Sequence, residues 1–266
     1  MADEQATAPD PETDRALGRM SFMEHLGELR TRIMWSLVAA GVGIVIALFI
    51  TDPVMHFISR PIVGMKTDLV FTSPTEAFWT WMKIAMVLGI FISMPGILYQ
   101  VWKFVSPGLH PHEKKYAAPF IISGSLLFLL GGAFALLVII PYASTFLVTF
   151  GQEKGWKPML TVSSYTDFVI KFTLAFGIVF QLPVVIMILS LIGVVTPQFL
   201  ARNRKYAILV NFIIAAVLTP TPDMINQTLM AGPLCILYEV GIICARLATR
   251  RRRQATPPPP PTASAT

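Results

Sequence analysis

The chain has 266 residues, of which 54% are hydrophobic and 14% charged. Soluble domains carry about 25% charged residues, and the mean hydropathy here is +0.64; an ordinary water-soluble globule, a disordered chain and a DNA-binding domain are all excluded. The net charge of +6 must then be read by position, because membrane proteins retain Lys and Arg on the cytoplasmic side.

In chain order, residues 1–18 are polar, acidic and Pro-containing, the composition of a disordered tail. They lack the basic n-region and apolar run of a secretory signal. Six apolar segments follow. The first runs from about Ile33 to Ile50. Phe22, Leu26, Leu29 and Ile33 share one helical face before it, and Ser21 and Glu24 have capping-box spacing. A short interfacial helix leading into the first span is therefore expected. The second segment, from about Pro74 to Phe104, has Ser73 as its expected N-cap with Glu76 completing a capping box. At about 45 Å it exceeds a ~30 Å hydrocarbon core, and Pro95 is expected to kink it.

The third segment runs from about Ala117 to Ile140, with Pro141 as its stop. The fourth runs from about Tyr165 to Gly193, with Ser164 as expected N-cap and a kink at Pro183. The fifth has a clean apolar core only from Ala207 to Leu218, about 18 Å of helix, and gains length from a helix starting at Thr196-Pro197. The sixth runs from about Asn226 to Ala245. The division expected is a tail at 1–18, a membrane domain at 19–248, and a basic then Pro-rich tail at 249–266.

With the N-terminus inside, fifteen Lys and Arg fall on the inner side and four in the outer loops (Arg60, Lys66, Lys154, Lys157). That asymmetry predicts six spans with both termini cytoplasmic. Lys83 and Lys171 lie within segments and read as snorkelling anchors.

Acidic residues stand out against the basic inner face. Glu28 lies in HLGELR, Glu113 in SPGLHPHEKKY, and Glu239 inside the sixth segment in CILYEVG, with Glu24 a weaker fourth. Glu28 is spaced for a local i,i+4 pair with Arg32, and Glu113 for offsetting Lys114 and Lys115. The alternative is a pair of carboxylates that grips guanidinium groups through forked, charge-assisted hydrogen bonds. An ionisable group within a span, as at Glu239, is a functional candidate by default. Gln181 beside Pro183 reads either as repair of the backbone bond that proline removes or as a buried polar contact. Asn211 is placed to join helices.

Enzyme signals are poor. His25, His56, His110 and His112 form no H-E-x-x-H, and there is no G-x-S-x-G or Gly-rich phosphate loop. Cys235 and Cys244 are about 13 Å apart on one helix, too far for a disulfide. No catalytic residue, cofactor, metal site or nucleic-acid partner is expected.

FMEHLGELRTRI (22–33), SPTEAFWTWMKIA (73–85), LYQVWKFVSPGLHPHEKKY (98–116), FGIVFQLPV (176–184) and LTPTPDMINQTLMAGPLCILYEVGI (218–242) resemble, in order, the TatC family, the multi-spanning subunit of the twin-arginine protein translocase. The resemblance implies an all-α, six-helix, concave, glove-like bundle in a bacterial inner membrane. It implies a receptor for twin-arginine signal peptides of folded cargo, self-association, and assembly with TatA/TatB-type single-span subunits for export driven by the proton-motive force. Residue by residue it implies that Glu28 and Glu113 receive the paired arginines. Arg30, Phe104 and Leu109 then fall at the same site, and Pro61, Pro95, Asp223 and Glu239 at other sensitive positions. Gln181 departs from the family's frequent Glu, which favours polar packing there over proton titration. Asn211, Thr219 and Thr221 are implied as partner contacts around the fifth span. The competing class, a small-molecule or ion transporter, calls for a polar path and usually for paired repeats. The spans offer only Gln181, Asn211 and Glu239, and no repeat.

Overall fold

The computed structural model describes residues 22–64, 69–108, 117–219 and 224–255. The tail at 1–18 and residues 109–116 and 220–223 lie outside this set, and with them Leu109, Glu113, Thr221 and Asp223.

The first helix, α1 (Phe22–Leu48), is one continuous element of 27 residues. The interfacial helix and the first span are thus joined without a break, since no proline interrupts residues 22–48. Helix α2 (Thr51–Gly64) follows, where the sequence reading placed no element. Pro53 falls in its first turn, where proline is tolerated, and Ile58 turns inward among the buried residues. Thr51 is buried and donates its hydroxyl to Ala47 O at 2.7 Å.

Helix α3 (Pro74–Val105) continues through Pro95. Ser73 holds the N-cap position but makes no side-chain cap hydrogen bond. Glu76 instead reaches back to Thr72, accepting from its N–H at 2.7 Å and its hydroxyl at 3.0 Å. A short 3-10 turn, Ser106–Gly108, ends this helix.

Pro141 does not stop the third segment. Helix α4 (Ala117–Phe134) passes through a π turn (Ala135–Ile139) into α5 (Ile140–Glu153). Ile140 N–H bonds to Ala135 O, five residues back. The wider turn places Pro141 at the start of α5, where a missing N–H costs nothing. The continuous 37-residue stretch is about 55 Å long, well beyond a ~30 Å hydrocarbon core.

Helix α6 (Val162–Val179) is capped by Thr161, whose hydroxyl accepts from Ser164 N–H at 3.1 Å. The cap thus sits three residues before the expected Ser164. The chain breaks at Phe180–Gln181 and resumes as α7 (Leu182–Leu191), with Pro183 in its first turn, as the Pro183 signal predicts. Thr196 caps α8 (Pro197–Arg202) as expected, accepting from Phe199 N–H at 3.2 Å. Asn203 separates α8 from α9 (Arg204–Leu218), and α10 (Met224–Ala255) closes the fold. Two short strands, β1 (Leu69–Val70) and β2 (Leu160–Thr161), pair in parallel.

Among the described residues, five stretches are long and apolar enough to cross a membrane: Glu24–Leu48, Pro74–Val105, Ala117–Glu153, Val162–Leu191 and Gln227–Thr249. Helix α9 has 15 residues, about 22 Å, and falls short as the sequence implies. Large apolar side chains cover the outside, among them Leu37, Val42, Leu130 and Val217. In water such a surface would associate; in lipid it is the solvated one. The interior holds two apolar clusters. One gathers Ile84, Ile139, Ile140, Val169, Phe172 and Phe176. The other gathers Leu98, Trp102, Phe120, Phe128 and Val184.

Glycines set the closest helix approaches. A Cβ on Gly43 of α1 would lie 2.3 Å from Gly89 O of α3, and one on Gly96 would lie 3.3 Å from Ala39 Cβ. The pairing of 43 with 89 and 39 with 96 makes the two helices antiparallel. Likewise a Cβ on Gly131 of α4 would lie 2.5 Å from Phe176 O of α6.

Candidate binding site at the Glu28 end of the bundle

Antiparallel packing brings the first turns of α1 to the last turns of α3. The contact is explicit at His25, which stacks on Phe104 with ring centroids 4.5 Å apart and planes 21° off parallel. One turn along α1, Glu28 pairs with Arg32, Nη2 to Oε1 at 2.9 Å. This is the local i,i+4 pair the spacing allows.

The pair leaves Glu28 half used. Its side chain is 15% exposed and that of Arg32 is 25%. Among the described residues, Glu28 Oε2 and Arg32 Nε are both buried without a hydrogen-bond partner, and so is Gln100 Oε1 on α3, one turn before Phe104. A buried carboxylate oxygen without a donor is costly, and a cationic or N–H donor arriving at this end of the bundle would relieve that cost. Arg30 is exposed and Phe104 half-buried, so the structure brings Glu28, Arg30 and Phe104 to one end. Leu109 and Glu113 fall outside the described residues. His25 and Gln100 were missed from the sequence; the antiparallel register of α1 on α3 is what brings them into play.

The other candidates occupy separate places. Gln181 does not serve its own helix: its amide donates to Gly124 O of α4 at 3.0 Å, across the break before Pro183. Glu239 forms a forked pair with Arg204 at the start of α9, with Nε–Oε1 at 2.7 Å and Nη2–Oε2 at 2.8 Å. Beside it, Tyr238 donates its hydroxyl to Leu200 O at 3.0 Å, so α10 holds both α8 and α9. Asn211 is buried and donates to Cys235 Sγ at 3.7 Å. It also lines a groove of about 460 Å³ with Leu182, Ile186, Phe199, Tyr206 and Tyr238. Thr219 returns its hydroxyl to Ala215 O at 2.7 Å and ends α9. Pro61 lies within α2, and Pro95 is exposed on α3.

Lys83, read as a snorkelling anchor, instead binds Asp167 of α6 at 2.7 Å. Lys171 is exposed. Cys235 and Cys244 are free thiols. Among the described residues there is no group of three His, Cys, Asp or Glu placed to hold a metal.

A family profile described as Sec-independent protein translocase protein (TatC) matches residues 24–233. The chain belongs to the TatC family. Its relatives include the TatC protein of Carboxydothermus hydrogenoformans, 44% identical over 227 residues that span 85% of this chain and 93% of that one. The TatC protein of Aquifex aeolicus is 40% identical over 234 residues, 87% of this chain and 97% of the relative. A crystal structure of a twin-arginine translocase receptor TatC matches at 41% identity with a TM-score of 0.71, covering 85% of this chain and all of the other. The protein is therefore a helical membrane subunit of a Sec-independent protein translocase, and not an enzyme.

Within this TatC-family fold, the Arg204–Glu239 fork is half-exposed. Exposed pairs contribute about 0.2–1 kcal/mol. Arg204→Ala should therefore lower the melting temperature of the purified protein by a few degrees at most, and Arg204→Lys should recover only part of the loss because ammonium cannot make the fork. A collapse of the fold in Arg204→Ala would show that the pair is structural.

Proposed function

We propose that this chain is the receptor subunit of a twin-arginine translocase in a bacterial inner membrane, with six spans and both termini cytoplasmic. The observation that carries the reading is the buried Oε2 of Glu28, without a partner among the described residues, on the helix that also carries the exposed Arg30 and the His25 stacked on Phe104. A peptide guanidinium can take Oε2 while Arg32 keeps Oε1, or displace Arg32 and take both oxygens in a fork. Glu113, four residues past Leu109, supplies the second carboxylate for the second arginine. The peptide's apolar stretch then follows the helices into the membrane. The fifteen-to-four distribution of Lys and Arg supports the orientation that puts this end in the cytoplasm.

Short α9 supports a second part of the reading. A 15-residue helix leaves the bilayer to thin locally, and its outward face is apolar: Leu209, Ile213 and Val217 are all exposed. Because Asn211 is turned inward and Thr219 bonds its own helix, this apolar face is what α9 offers to TatA/TatB-type single-span partners. Thr221, three residues after Leu218 in sequence, is the polar contact left to them.

The test is photocrosslinking in nanodiscs of a twin-arginine peptide and its twin-lysine counterpart, with and without small subunits. Efficient crosslinking to residues near Glu28 with the arginine peptide, and weak crosslinking with the lysine peptide, is expected. Equal crosslinking of both peptides would remove the guanidinium-recognition role.

A further inference from the structure

At the opposite end of the bundle, α3 and α6 run in parallel and meet along a seam with two polar rungs. In the upper rung Glu76 Oε1 accepts from Ser163 N–H at 2.9 Å. In the lower rung Lys83 Nζ donates to Asp167 at 2.7 Å. Between them lie Thr80, four residues after Glu76 and three before Lys83, and Thr166, three after Ser163 and next to Asp167. Helical spacing keeps positions 76, 80 and 83 on one face, as it does 163 and 166–167.

Both threonines are 1% exposed. Neither hydroxyl has a hydrogen-bond partner among the described residues. A helical threonine can satisfy its hydroxyl by bonding the carbonyl one turn back, as Thr31 and Thr228 do here. The neighbouring polar side chains are committed elsewhere: Trp81 Nε1 donates to Asp52 of α2 at 2.8 Å, and Tyr165 donates its hydroxyl to Ile58 O of α2 at 2.9 Å. Two buried hydroxyls, one on each helix, lie between a carboxylate–amide contact and an ion pair in the order of the chain, and an internal water needs two to four polar partners of this kind.

We propose that the α3–α6 seam is a water-binding site: Thr80 and Thr166 share ordered water that is continuous with the half-exposed Lys83–Asp167 pair. The ligand is water, and its role is to hydrate the half-exposed Lys83–Asp167 pair from the buried side of the seam. The seam lies at the far end from Glu28, so this proposal is independent of the peptide-binding reading.

Thr→Val substitution at each position, singly and together, separates the two states of the seam. Valine matches the shape of threonine without the hydroxyl. In a dry seam, removing an unpartnered hydroxyl removes a desolvation cost and the melting temperature in nanodiscs rises. In a hydrated seam, the water loses a partner and the melting temperature falls, and Thr→Ser at the same position keeps it near wild type. A second measurement uses Cys235→Ala/Cys244→Ala protein carrying Thr166→Cys or, as a dry apolar control, Val169→Cys. The probe is the trimethylammonium-ethyl methanethiosulfonate cation. Labelling at 166 should be at least tenfold faster than at 169. A melting temperature at or above wild type in the Val variants, or labelling at 166 no faster than at 169, overturns the proposal.

Discussion

Glu28→Gln should weaken binding of a twin-arginine peptide by about tenfold to a hundredfold while leaving the protein folded. A hydrogen bond to a charged group contributes about 1.5–3 kcal/mol, and about 1.4 kcal/mol is a factor of ten. The lower end applies where solvent and salt screen the contact. The substitution keeps the side chain's size in a site only 15% exposed, and it removes the charge that two guanidiniums compete for. One is Arg32, already bound to Oε1 at 2.9 Å; the other, in the proposed function, is the incoming arginine, for which Oε2 has no partner among the described residues. Titration of a fluorescent peptide into nanodiscs measures the loss. A double-mutant cycle sharpens it. If Glu28 receives one particular arginine, Arg→Lys at that peptide position should cost much less in Glu28→Gln than in wild type, whereas Arg→Lys at the other position should cost the same in both. Wild-type affinity in Glu28→Gln would show that the Glu28–Arg32 pair is only a helix-surface contact. Glu113→Gln is expected to behave in the same way toward the second arginine.

The largest effect on stability is expected at Gly89. A Cβ there would lie 2.5 Å from Ile44 Cγ1 and 2.6 Å from both the backbone N and Cα of Ile44. Two of these atoms are backbone, so no rotamer change relieves the clash, and α1 must move away from α3. Overpacking costs about 1–3 kcal/mol, and this case belongs at or above the top of that range. Gly89→Ala should lower the melting temperature of the purified protein by roughly 6–12 °C, taking about 2–4 °C per kcal/mol for a chain of this size. Gly89→Leu should fail to accumulate. Gly41→Ala is the control: nothing lies within 4 Å of its added Cβ, so the better helix propensity of alanine should leave stability unchanged or slightly raised. Equal melting temperatures for Gly89→Ala and Gly41→Ala would mean that α1 and α3 are not in backbone contact. Because the same helix pair holds His25 against Phe104 at the Glu28 end, loss of that contact would also loosen the proposed peptide site.

Local signals were legible wherever one stretch of chain carries both partners. The Glu28–Arg32 pair, the Thr196 cap and the break before Pro183 each follow from spacings of a few residues. Pro141 was misread because the expectation of a stop assumed an α-helical turn before it. The π turn at Ala135–Ile139 absorbs the proline, and no apolar pattern announces it. Helix α2 was missed because Pro53 and Pro61 suppress a helical reading. What fixes the element is its contact with α3 and α6, through Asp52 to Trp81 and Ile58 O to Tyr165.

The amino-acid sequence by itself determined that this protein lives in a membrane, where its apolar helices fall, and that one helix is too short for an unperturbed bilayer. Those properties depend on composition and on the run of apolar residues, which lipid reads directly. Only the tertiary structure decided which charges meet. Glu239 finds Arg204 and Lys83 finds Asp167, across 35 and 84 residues of sequence. Periodicity tells which face of a helix is polar, but in a bundle where nearly every face is apolar it does not tell which faces touch. Glycine contacts such as Gly43 on Gly89 and Gly131 on Phe176 O set those approaches. They also bring the Glu28 end of α1 to the end of α3, with one carboxylate oxygen in use and the other without a partner among the described residues.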